Sequence, residues 1–348
     1  MSKSKILVGM SGGVDSSVAA FLLKEQGYDV YGCTLTFHAE NESVSSKDIE
    51  DAKAVADLLG IPHFSADYRQ TFKNSVIEYF VQTYLSGETP NPCTFCNKNV
   101  KFPCMLEYAN QTGCSFIASG HYARISQSGG RYLLHKGLDS SKDQSYMLYS
   151  LSQEILSKTV FPLGTLSKQE IREIALGASL PVASKKDSQD ICFIKDTDYQ
   201  TFIKEFTGKS VPEGNFCDKD GNIIGAHKGI ISYTVGQRKG LGISSEEPYY
   251  VVSKNPEDNT VILGREKDLY TNRVFVKDVN FIPFDSLDST IRLCAKLRYS
   301  QKESVCTATP CENGIVLEFE ELQRAVTPGQ SAVLYDGDIV IGGGIIAT

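Results

Sequence analysis

The sequence predicts an α/β fold in which a Rossmann-like parallel sheet is followed by a small β-rich central domain and a C-terminal β-barrel. Up to Thr207, short apolar runs alternate with segments of helical periodicity, an order typical of a parallel sheet with helices on both faces. Beyond Thr207, Gly, Pro, Asn and Asp separate short β-branched and aromatic runs, as in small barrels. The chain of 348 residues is also too long for one compact domain.

The N-terminal elements follow from apolar spacing and from the glycines that end helices. We predict strands at Lys5–Gly9, Val30–Phe37, His63–Ala66 and Phe116–Gly120. We predict helices at Ser16–Gln26, Ile49–Leu59 and Phe72–Leu85. Because strands and helices alternate, these strands should run parallel.

The remaining strands are predicted where β-branched and aromatic residues cluster between turn residues. These runs are Tyr249–Ser253, Thr260–Leu263, Arg273–Val276, Ile291–Leu297, Gly314–Phe319 and Ser331–Tyr335. Asp336-Gly337 is a tight-turn signal that follows the last of them. Together with the change of texture after Thr207, they predict three domains, at residues 1–207, 208–272 and 273–348.

The composition is that of an ordinary globular protein. The net charge of −7 argues against a protein covered by nucleic acid, although a local basic patch is compatible with it. No apolar run of about 18 residues is present, so we expect no membrane span. The apolar stretch near the N-terminus is too short for a signal peptide, and we expect a cytoplasmic protein in which the ten cysteines form no disulfide framework.

A glycine-rich loop follows the first strand and opens the first helix. Its glycines allow backbone N–H groups to surround a phosphate, and the helix N-terminus adds partial positive charge. Asp15 is acidic within this anion site, so we expect it to hold Mg²⁺. The loop contains no Lys, which argues against a kinase-type grip on the terminal phosphates. The predicted ATP-binding residues of the loop are Gly9, Met10, Ser11, Gly12, Gly13, Val14, Asp15 and Ser16.

A second signal is Thr89-Pro-Asn-Pro-Cys93-Thr-Phe-Cys96, a proline-stiffened segment that ends in two cysteines. Lys98 and Lys101 follow, and nearby lysines together with a helix N-terminus should lower a thiol pKa. Cys192 also follows a stretch that carries two lysines. These contexts are typical of reactive cysteines.

Three other interpretations of these cysteines stay open at this point. They could be ordinary core residues. Cys93 and Cys96 could form half of a zinc site that Cys104 or Cys114 completes, although the CxxC spacing does not recur. Cys93, Cys96 and Cys192 could instead hold an iron–sulfur cluster.

Seven segments occur along the chain in this order: SGGVDSS, TPNPCTFCNKNVKF, SGHYAR, GLDSSKDQSYML, KKDSQDICFI, YTVGQRKGLGI and VTPGQSAVLYDGD. With this series, the chain resembles the tRNA-specific 2-thiouridylase (MnmA) family of the ATP pyrophosphatase, or PP-loop, superfamily. The resemblance runs nearly end to end. It implies a pyrophosphate loop at Gly9–Ser16, tRNA as the substrate and a persulfide donor, either a cysteine desulfurase or a sulfur carrier protein, as a partner.

The resemblance also implies a reaction. ATP adenylates the C2 carbonyl oxygen of the wobble uridine, a persulfide delivers sulfur to that carbon, and AMP leaves. It places the nucleophile at Cys96 and the persulfide at Cys192, which could also form a transient disulfide with each other. The target base would leave its stack to be attacked.

The remaining site residues are carried over one position at a time from the same resemblance. Leu35 and Gly120 would contact ATP, and Asn91, Pro92 and Cys93 would face the target base. The residues that would contact tRNA are His121, Lys142, Asp143, Gln144, Arg298, Tyr299 and Gln330. Many family members carry Asp where this chain has Cys93, which puts a base-assisting role at this position in doubt.

Rival functions remain at this point. Another adenylating tRNA enzyme, such as a lysidine synthetase or a cluster-dependent thiolase, would share the loop, and a zinc-stabilised RNA-binding module would share the cysteines. The segment Ile223–Ser244 contains Lys228, Arg238 and Lys239 and no acidic residue. It fits a contact with a phosphate backbone and fits an ordinary solvated loop equally well.

Overall fold

The computed structural model describes residues 3–37, 43–186, 191–194 and 197–347. The segment 187–190 of the predicted cysteine motif therefore lies outside the described residues. The α-helices are α1 (Val14–Glu25), α2 (Ser43–Leu59), α3 (Arg69–Phe72), α4 (Glu78–Leu85), α5 (Pro92–Cys96), α6 (Phe102–Thr112), α7 (Gln153–Lys158), α8 (Lys168–Gly177) and α9 (Tyr199–Thr207). Two π-helical segments, Lys73–Ile77 and Asn97–Lys101, join α3 to α4 and α5 to α6.

The strands are assigned in chain order. They are β1 (Lys5–Gly9), β2 (Asp29–Thr36), β3 (His63–Asp67), β4 (Phe116–Ala118), β5 (Ala123–Ser128), β6 (Arg131–Lys136), β7 (Thr159–Val160), β8 (Gly214–Cys217), β9 (Ile223–His227), β10 (Tyr250–Asn255), β11 (Thr260–Gly264), β12 (Tyr270–Phe281), β13 (Ile291–Lys296), β14 (Ser304–Cys311), β15 (Gly314–Arg324), β16 (Ser331–Asp336) and β17 (Ile339–Ala347). None of the described helices combines the length and the apolarity that crossing a membrane requires.

The predicted parallel sheet is confirmed. Its strand order is β3-β2-β1-β4-β7, and every neighbouring pair runs parallel. Side chains of β1 alternate between two cores: Ile6 packs in the cluster that contains Val18 of α1, and Leu7 packs in the cluster that contains Met105 of α6. Because β1 is central, the loop that follows it emerges from the middle of the sheet's C-terminal edge.

The central unit and the C-terminal unit are both built of β-strands, as predicted. A four-stranded sheet of order β10-β11-β8-β9 forms the small central unit. The last six strands follow the order β12-β15-β14-β13-β16-β17, and pairing of β12 with β17 closes them into an antiparallel barrel. The predicted boundary between residues 272 and 273 falls inside β12.

One hairpin was not predicted from the sequence. Strands β5 and β6 pair with each other and extend the sheet of the barrel, with His135 opposite Ile339. Arg124 forms an ion pair of 3.0 Å with Asp338 at the β16–β17 turn. The hairpin escapes pattern analysis because polar residues interrupt the apolar pattern of both strands. It ties the N-terminal unit to the barrel.

Candidate functional site

The glycine-rich loop turns tightly between β1 and α1. Gly12 has a φ of +70°, and a side chain there would collide with the backbone of Asp48, so only glycine fits. The backbone N–H of Ser11 donates to Ser16 Oγ at 3.1 Å, and Ser17 Oγ donates to the Gly13 carbonyl at 2.8 Å. Serine side chains thus hold the loop in shape while it opens the N-terminus of α1.

Two other predicted contacts lie at the same edge of the sheet. A Cβ atom on Gly120, just after β4, would stand 2.7 Å from the backbone of Asp15 and Ser16. The loop and the end of β4 therefore touch, and this contact requires glycine. Leu35 lies near the C-terminal end of β2 and is half-buried. This convergence of strand ends is where open α/β sheets bind ligands.

A lysine from outside the loop sequence lies beside the loop. Lys168, the first residue of α8, forms an ion pair of 2.7 Å with Asp15 Oδ1. The Tyr122 hydroxyl donates to the same oxygen at 2.8 Å. The Lys168 side chain is only 13% exposed, so its ammonium group is held beside the phosphate-binding backbone.

A second lysine approaches from the other side. Lys185 Nζ donates to the Gly12 carbonyl at 3.0 Å, to Asp48 Oδ1 at 2.8 Å and to Asp51 Oδ2 at 2.6 Å. Sequence analysis had associated this lysine with Cys192, whereas the structure directs it to the loop. The loop itself contains no lysine, as the sequence analysis stated, but Lys168 and Lys185 reach it from distant parts of the chain.

The two cysteines of the second motif lie on one continuous helical stretch. Asn91 caps α5 by accepting from the Thr94 N–H at 3.3 Å, and Pro92 occupies the first turn. The π-helical segment follows Cys96 directly and ends at Lys101. A π turn shifts the register of the residues that follow it and is frequent at functional sites. Cys96 itself lies within the helical stretch, so it gains nothing from a helix N-terminus.

Cys93, Cys96, Cys192 and Lys101 form what we call the thiol cluster. The Lys101 charge acts on both Cys93 and Cys96, and Cys192 interacts electrostatically with Cys96 and with Lys101. The structure thus brings together cysteines that are 96 residues apart in the chain. Cys93 and Cys192 are exposed to solvent, so they are not core residues, whereas Cys96 is partly exposed and packs against the core that contains Phe72.

The expected lowering of the thiol pKa is not found. Burial by surrounding protein raises the pKa of Cys96 to about 12, and the opposing effect of Lys101 is smaller. Burial likewise raises the pKa of Cys93. Sequence analysis counted neighbouring charges but could not count desolvation, which disfavours the thiolate. Burial also lowers the pKa of Lys101, while the three thiols raise it.

These shifts predict the alkylation behaviour of Cys96. Since only the thiolate reacts, its rate of alkylation by iodoacetamide should climb about tenfold per pH unit from about pH 7 to about pH 10 without a plateau. Peptide mass spectrometry gives the rate, with the exposed Cys311 of the barrel as the reference in the same sample. A Lys101→Met variant should react more slowly still. A plateau for Cys96 below pH 9 would contradict the raised pKa.

His121 connects the thiol cluster to the loop. It follows Gly120 directly, and its Nδ1 lies 2.7 Å from Ser119 Oγ. The ring stacks on Phe102, with centroids 5.7 Å apart. Burial and the positive charge of Lys101 hold the pKa of His121 well below its usual range, so the imidazole is neutral at neutral pH. A neutral ring in this position can accept a hydrogen bond.

The zinc and iron–sulfur interpretations both require several metal-binding side chains to lie close together. Within the described part of the chain, no three side chains of His, Cys, Asp or Glu lie close enough together to hold a metal ion. Cys104 is buried in the core that contains Phe72, and Cys114 is buried in the core that contains Leu7.

Gln330 lies where the barrel meets the cysteine segment. Its Nε2 donates to the Thr89 carbonyl at 2.9 Å and to the Pro90 carbonyl at 3.1 Å. The Thr89 N–H donates in turn to the Pro328 carbonyl at 2.9 Å. The barrel thus holds the backbone that leads into Cys93. A tRNA contact was predicted for Gln330, and the structure gives its side chain this internal partner.

A Gln330→Leu variant should separate these two roles. Losing both hydrogen bonds loosens the segment before Cys93. For the tRNA thiolation that the sequence resemblance implies, we expect kcat to fall by about tenfold to a hundredfold with a modest change in KM for tRNA. Gln330→Glu, which keeps the shape but cannot donate, should behave similarly. A rise in KM alone would instead identify Gln330 as a direct tRNA contact.

The other predicted tRNA residues lie around the same junction. Tyr299 is 44% exposed, and its hydroxyl donates to the Asp143 carbonyl at 3.2 Å. Arg298 donates to the Ala325 carbonyl and, at 3.0 Å, to Thr327 Oγ1. It therefore braces the barrel from within, and only part of its side chain reaches the surface.

The segment Lys142–Gln144 is more deeply embedded than the prediction implied. Asp143 is buried, and its carboxylate accepts from the Gly137 N–H at 3.0 Å and from Ser145 Oγ at 3.0 Å. The Asp143 carboxylate therefore stabilises the loop from inside, whereas the prediction placed it at the surface in contact with tRNA. Gln144 Oε1 accepts from the Tyr122 N–H at 3.1 Å. Lys142 is partly exposed.

The fold and the site together define a class of protein. A glycine-rich loop at the centre of a parallel sheet, two lysines beside it and a thiol cluster at the same edge are features of an ATP-using α/β enzyme with cysteines near its nucleotide loop. Three family models match the chain: a tRNA methyl transferase HUP domain matches residues 4–196, a tRNA methyl transferase PRC-barrel domain matches 200–265, and an aminomethyltransferase β-barrel domain matches 271–346.

Relatives identify the family. Proteins named tRNA-specific 2-thiouridylase MnmA are 49% identical in Clostridioides difficile, over 98% of both chains, and 50% identical in Clostridium botulinum, over 99% of both. One from Caldanaerobacter subterraneus is 48% identical over 99% of this chain and 98% of its own. The chain therefore belongs to the tRNA-specific 2-thiouridylase family, whose members are ATP-dependent sulfurtransferases acting on tRNA. A solved 4-thiouridine synthetase–RNA complex with bound ATP covers 59% of this chain and 50% of its own at 16% identity and a TM-score of 0.39.

Proposed function

We propose that this chain is a tRNA 2-thiouridylase that uses ATP to activate the C2 carbonyl of the wobble uridine, replaces the oxygen with sulfur, and releases AMP and pyrophosphate. The observation that carries the proposal is the continuity of two sites. The loop touches Gly120, and the ring of the next residue, His121, stacks on Phe102, which directly follows Lys101 of the thiol cluster. A base held there meets ATP on one side and sulfur on the other.

In the activation step, the uridine O2 attacks the α-phosphate and pyrophosphate leaves. Backbone N–H groups of Gly9–Ser16 surround the phosphates, and Lys168 and Lys185 stabilise the charge that develops on the departing pyrophosphate. The two ammonium groups form ion pairs with carboxylates of Asp15 and of α2. The phosphates of ATP then replace or join these partners.

Magnesium is expected to arrive with the nucleotide. Asp15 was predicted to bind it, but Asp15 Oδ1 already accepts from the Lys168 ammonium and the Tyr122 hydroxyl. This environment does not fit a protein-built Mg²⁺ cage. We therefore propose that ATP phosphates and water supply most of the ligands, with Asp15 as a single carboxylate nearby.

In the sulfur step, a donor first leaves a persulfide on Cys192. The terminal sulfur attacks C2 of the adenylated uridine, and AMP departs with the C2 oxygen. The Cys96 thiolate then attacks Cys192 Sγ, a Cys96–Cys192 disulfide forms, and the bond between Cys192 and the transferred sulfur breaks to release 2-thiouridine. A dithiol reductant returns both cysteines to thiols.

The proposal also covers the sulfur donor, the cellular compartment and the residues that would contact the tRNA. The exposure of Cys192 suits transfer from a partner protein, a cysteine desulfurase or a sulfur carrier protein. We expect the reaction to take place in the cytoplasm, where ATP and tRNA are available. Asn91, Pro92 and the exposed Cys93 would face the flipped base. The contacts to tRNA would come from His121, Lys142, Gln144, Arg298, Tyr299 and Gln330.

The proposal is tested with purified protein, ATP and tRNA from cells that lack 2-thiouridine. AMP should form only when tRNA is present, and sulfide should convert the adenylated tRNA to a 2-thiouridine product visible by nucleoside mass spectrometry. Formation of AMP with lysine incorporation would identify a lysidine synthetase. Absence of AMP under all these conditions would overturn the proposal.

A further inference from the structure

One exposed basic element has no role in the chemistry above. We call residues Val235–Leu241 the basic turn. Arg238 and Lys239 are exposed at its tip, while Leu241 is buried in the core beneath the central sheet. The surrounding segment from Ile223 to Ser244 contains no acidic residue. The turn is therefore a positively charged protrusion with a buried root.

The basic turn is held in one conformation. Gln237 spans it: its Oε1 accepts from the Thr234 N–H at 3.1 Å, and its Nε2 donates to the Lys239 carbonyl at 3.0 Å. Backbone hydrogen bonds join the turn to β10, from Gly236 N to the Val251 carbonyl at 2.8 Å and from Val251 N to the Gln237 carbonyl at 3.0 Å. A ligand that binds the tip would therefore lose little affinity to ordering the loop.

The charges of the turn are not neutralised by the protein. Within the described residues, no carboxylate lies within ion-pair distance of Arg238 or Lys239. Two basic residues nearby do have carboxylate partners: Arg324 pairs with Glu266 at 2.7 Å, and Arg265 lies 3.7 Å from Glu247. The two charges of the basic turn are thus left for an external anion, although the chain as a whole is acidic.

The turn is mechanically connected to the thiol cluster. We call residues Arg324–Gln330 the strap, a segment of the barrel. A Cβ on Gly236, whose φ is +89°, would stand 2.7 Å from Ala325 Cβ, so the turn packs closely on the start of the strap. The end of the strap holds the backbone before Cys93 through Pro328 and Gln330. One short segment therefore fixes the distance between the basic tip and the cysteines.

We propose that Arg238 and Lys239 of the basic turn bind two backbone phosphates of the tRNA and set the position of the RNA relative to the thiol cluster. The tRNA as ligand rests on the proposed function. The backbone is the favoured target because a cationic pair on a rigid turn matches phosphate, which gives position without sequence information. The turn then aligns the anticodon arm while the cysteines act on one base.

An Arg238→Gln/Lys239→Gln double variant tests this role. Fluorescence anisotropy with unmodified tRNA is measured over a series of salt concentrations. Losing two phosphate contacts should reduce the slope of log affinity against log salt by about 1.5 to 2. In thiolation assays KM for tRNA should rise by about tenfold, while kcat stays within about twofold, because the chemical groups are untouched.

The matched control is Lys204→Gln/Lys209→Gln, which removes the same charge from exposed positions on and after α9. It should leave the salt slope nearly unchanged. A second variant, Gln237→Ala, loosens the turn without altering charge and should weaken binding while keeping the slope.

Equal slopes for the two double variants would overturn the proposal, because the effect would then be one of net charge. Since binding is measured without ATP or a sulfur donor, the test does not depend on turnover. If the wild-type chain bound tRNA through the basic turn but formed no thiouridine, the proposed function would fail and the role of the turn would stand.

Discussion

A Cys96→Ser variant is expected to lose tRNA thiolation by on the order of 10³-fold or more while it still forms AMP in the presence of tRNA. The reason is geometric and chemical. Cys96 lies within the electrostatic reach of Cys192 and Lys101, and a serine hydroxyl cannot attack a disulfide sulfur as a thiolate does. The variant should therefore stop after sulfur has bonded to the base.

The stalled intermediate provides a sharper observation than the loss of activity. In Cys96→Ser, the tRNA should remain attached to Cys192 through a disulfide, seen as a complex on a non-reducing gel. A small thiol should release it and restore 2-thiouridine in a single turnover. The exposed Cys311 of β14, changed to serine, is the control and should behave as the wild type does.

Cys192→Ser completes this experiment. It should lose thiolation fed by a persulfide donor, yet keep a measurable reaction with free sulfide, which needs no carrier. Equal loss in both assays would count against the persulfide role of Cys192. Normal turnover of Cys96→Ser would count against the exchange step.

The second large effect is expected for a Lys168→Met variant. We expect tRNA-dependent AMP formation to fall by about 10²- to 10³-fold, because the Lys168 ammonium group is held beside the phosphate-binding loop in a partly buried position. Binding of tRNA should be unchanged. The exposed Lys158 at the end of α7 is the matched control, and Lys158→Met should retain full activity.

The pairing of Lys168 with Asp15 adds a further requirement. Asp15→Ala should also remove ATP cleavage, and because the two side chains share one ion pair, their effects should not add in the double variant. Tyr122→Phe, which removes only the hydroxyl bonded to Asp15, should have a smaller effect. Fully additive losses would show that Lys168 and Asp15 act separately. A melting curve for each variant confirms that it folds.

Local chemistry explains which parts of the site were predictable. Gly12 is required by its own backbone conformation, and this need can be inferred from a strand, a turn and a helix in sequence. Gly120 was carried over from the family resemblance, and its close approach to the loop is a tertiary contact. The cysteines were visible because their prolines and lysines are adjacent in the chain. The parallel sheet and the barrel follow from the period of their apolar residues.

The parts that were missed depend on tertiary packing. Lys168 and Lys185 reach the loop from 153 and 173 residues away, and no spacing rule connects them to it. The raised pKa of Cys96 comes from desolvation, which no count of neighbouring charges contains. Asp143 resembles a surface residue in sequence, yet packing buries it.

The central claim is that sulfur passes from Cys192 to C2 of the wobble uridine at a site activated by ATP. The most direct measurement loads Cys192 with a heavy-isotope persulfide, adds ATP and unmodified tRNA for one turnover, and analyses the nucleosides by mass spectrometry. The account predicts heavy 2-thiouridine at the wobble position, with one AMP formed for each labelled nucleoside. Label that stays on the protein while AMP accumulates, or that appears as 4-thiouridine, would contradict it.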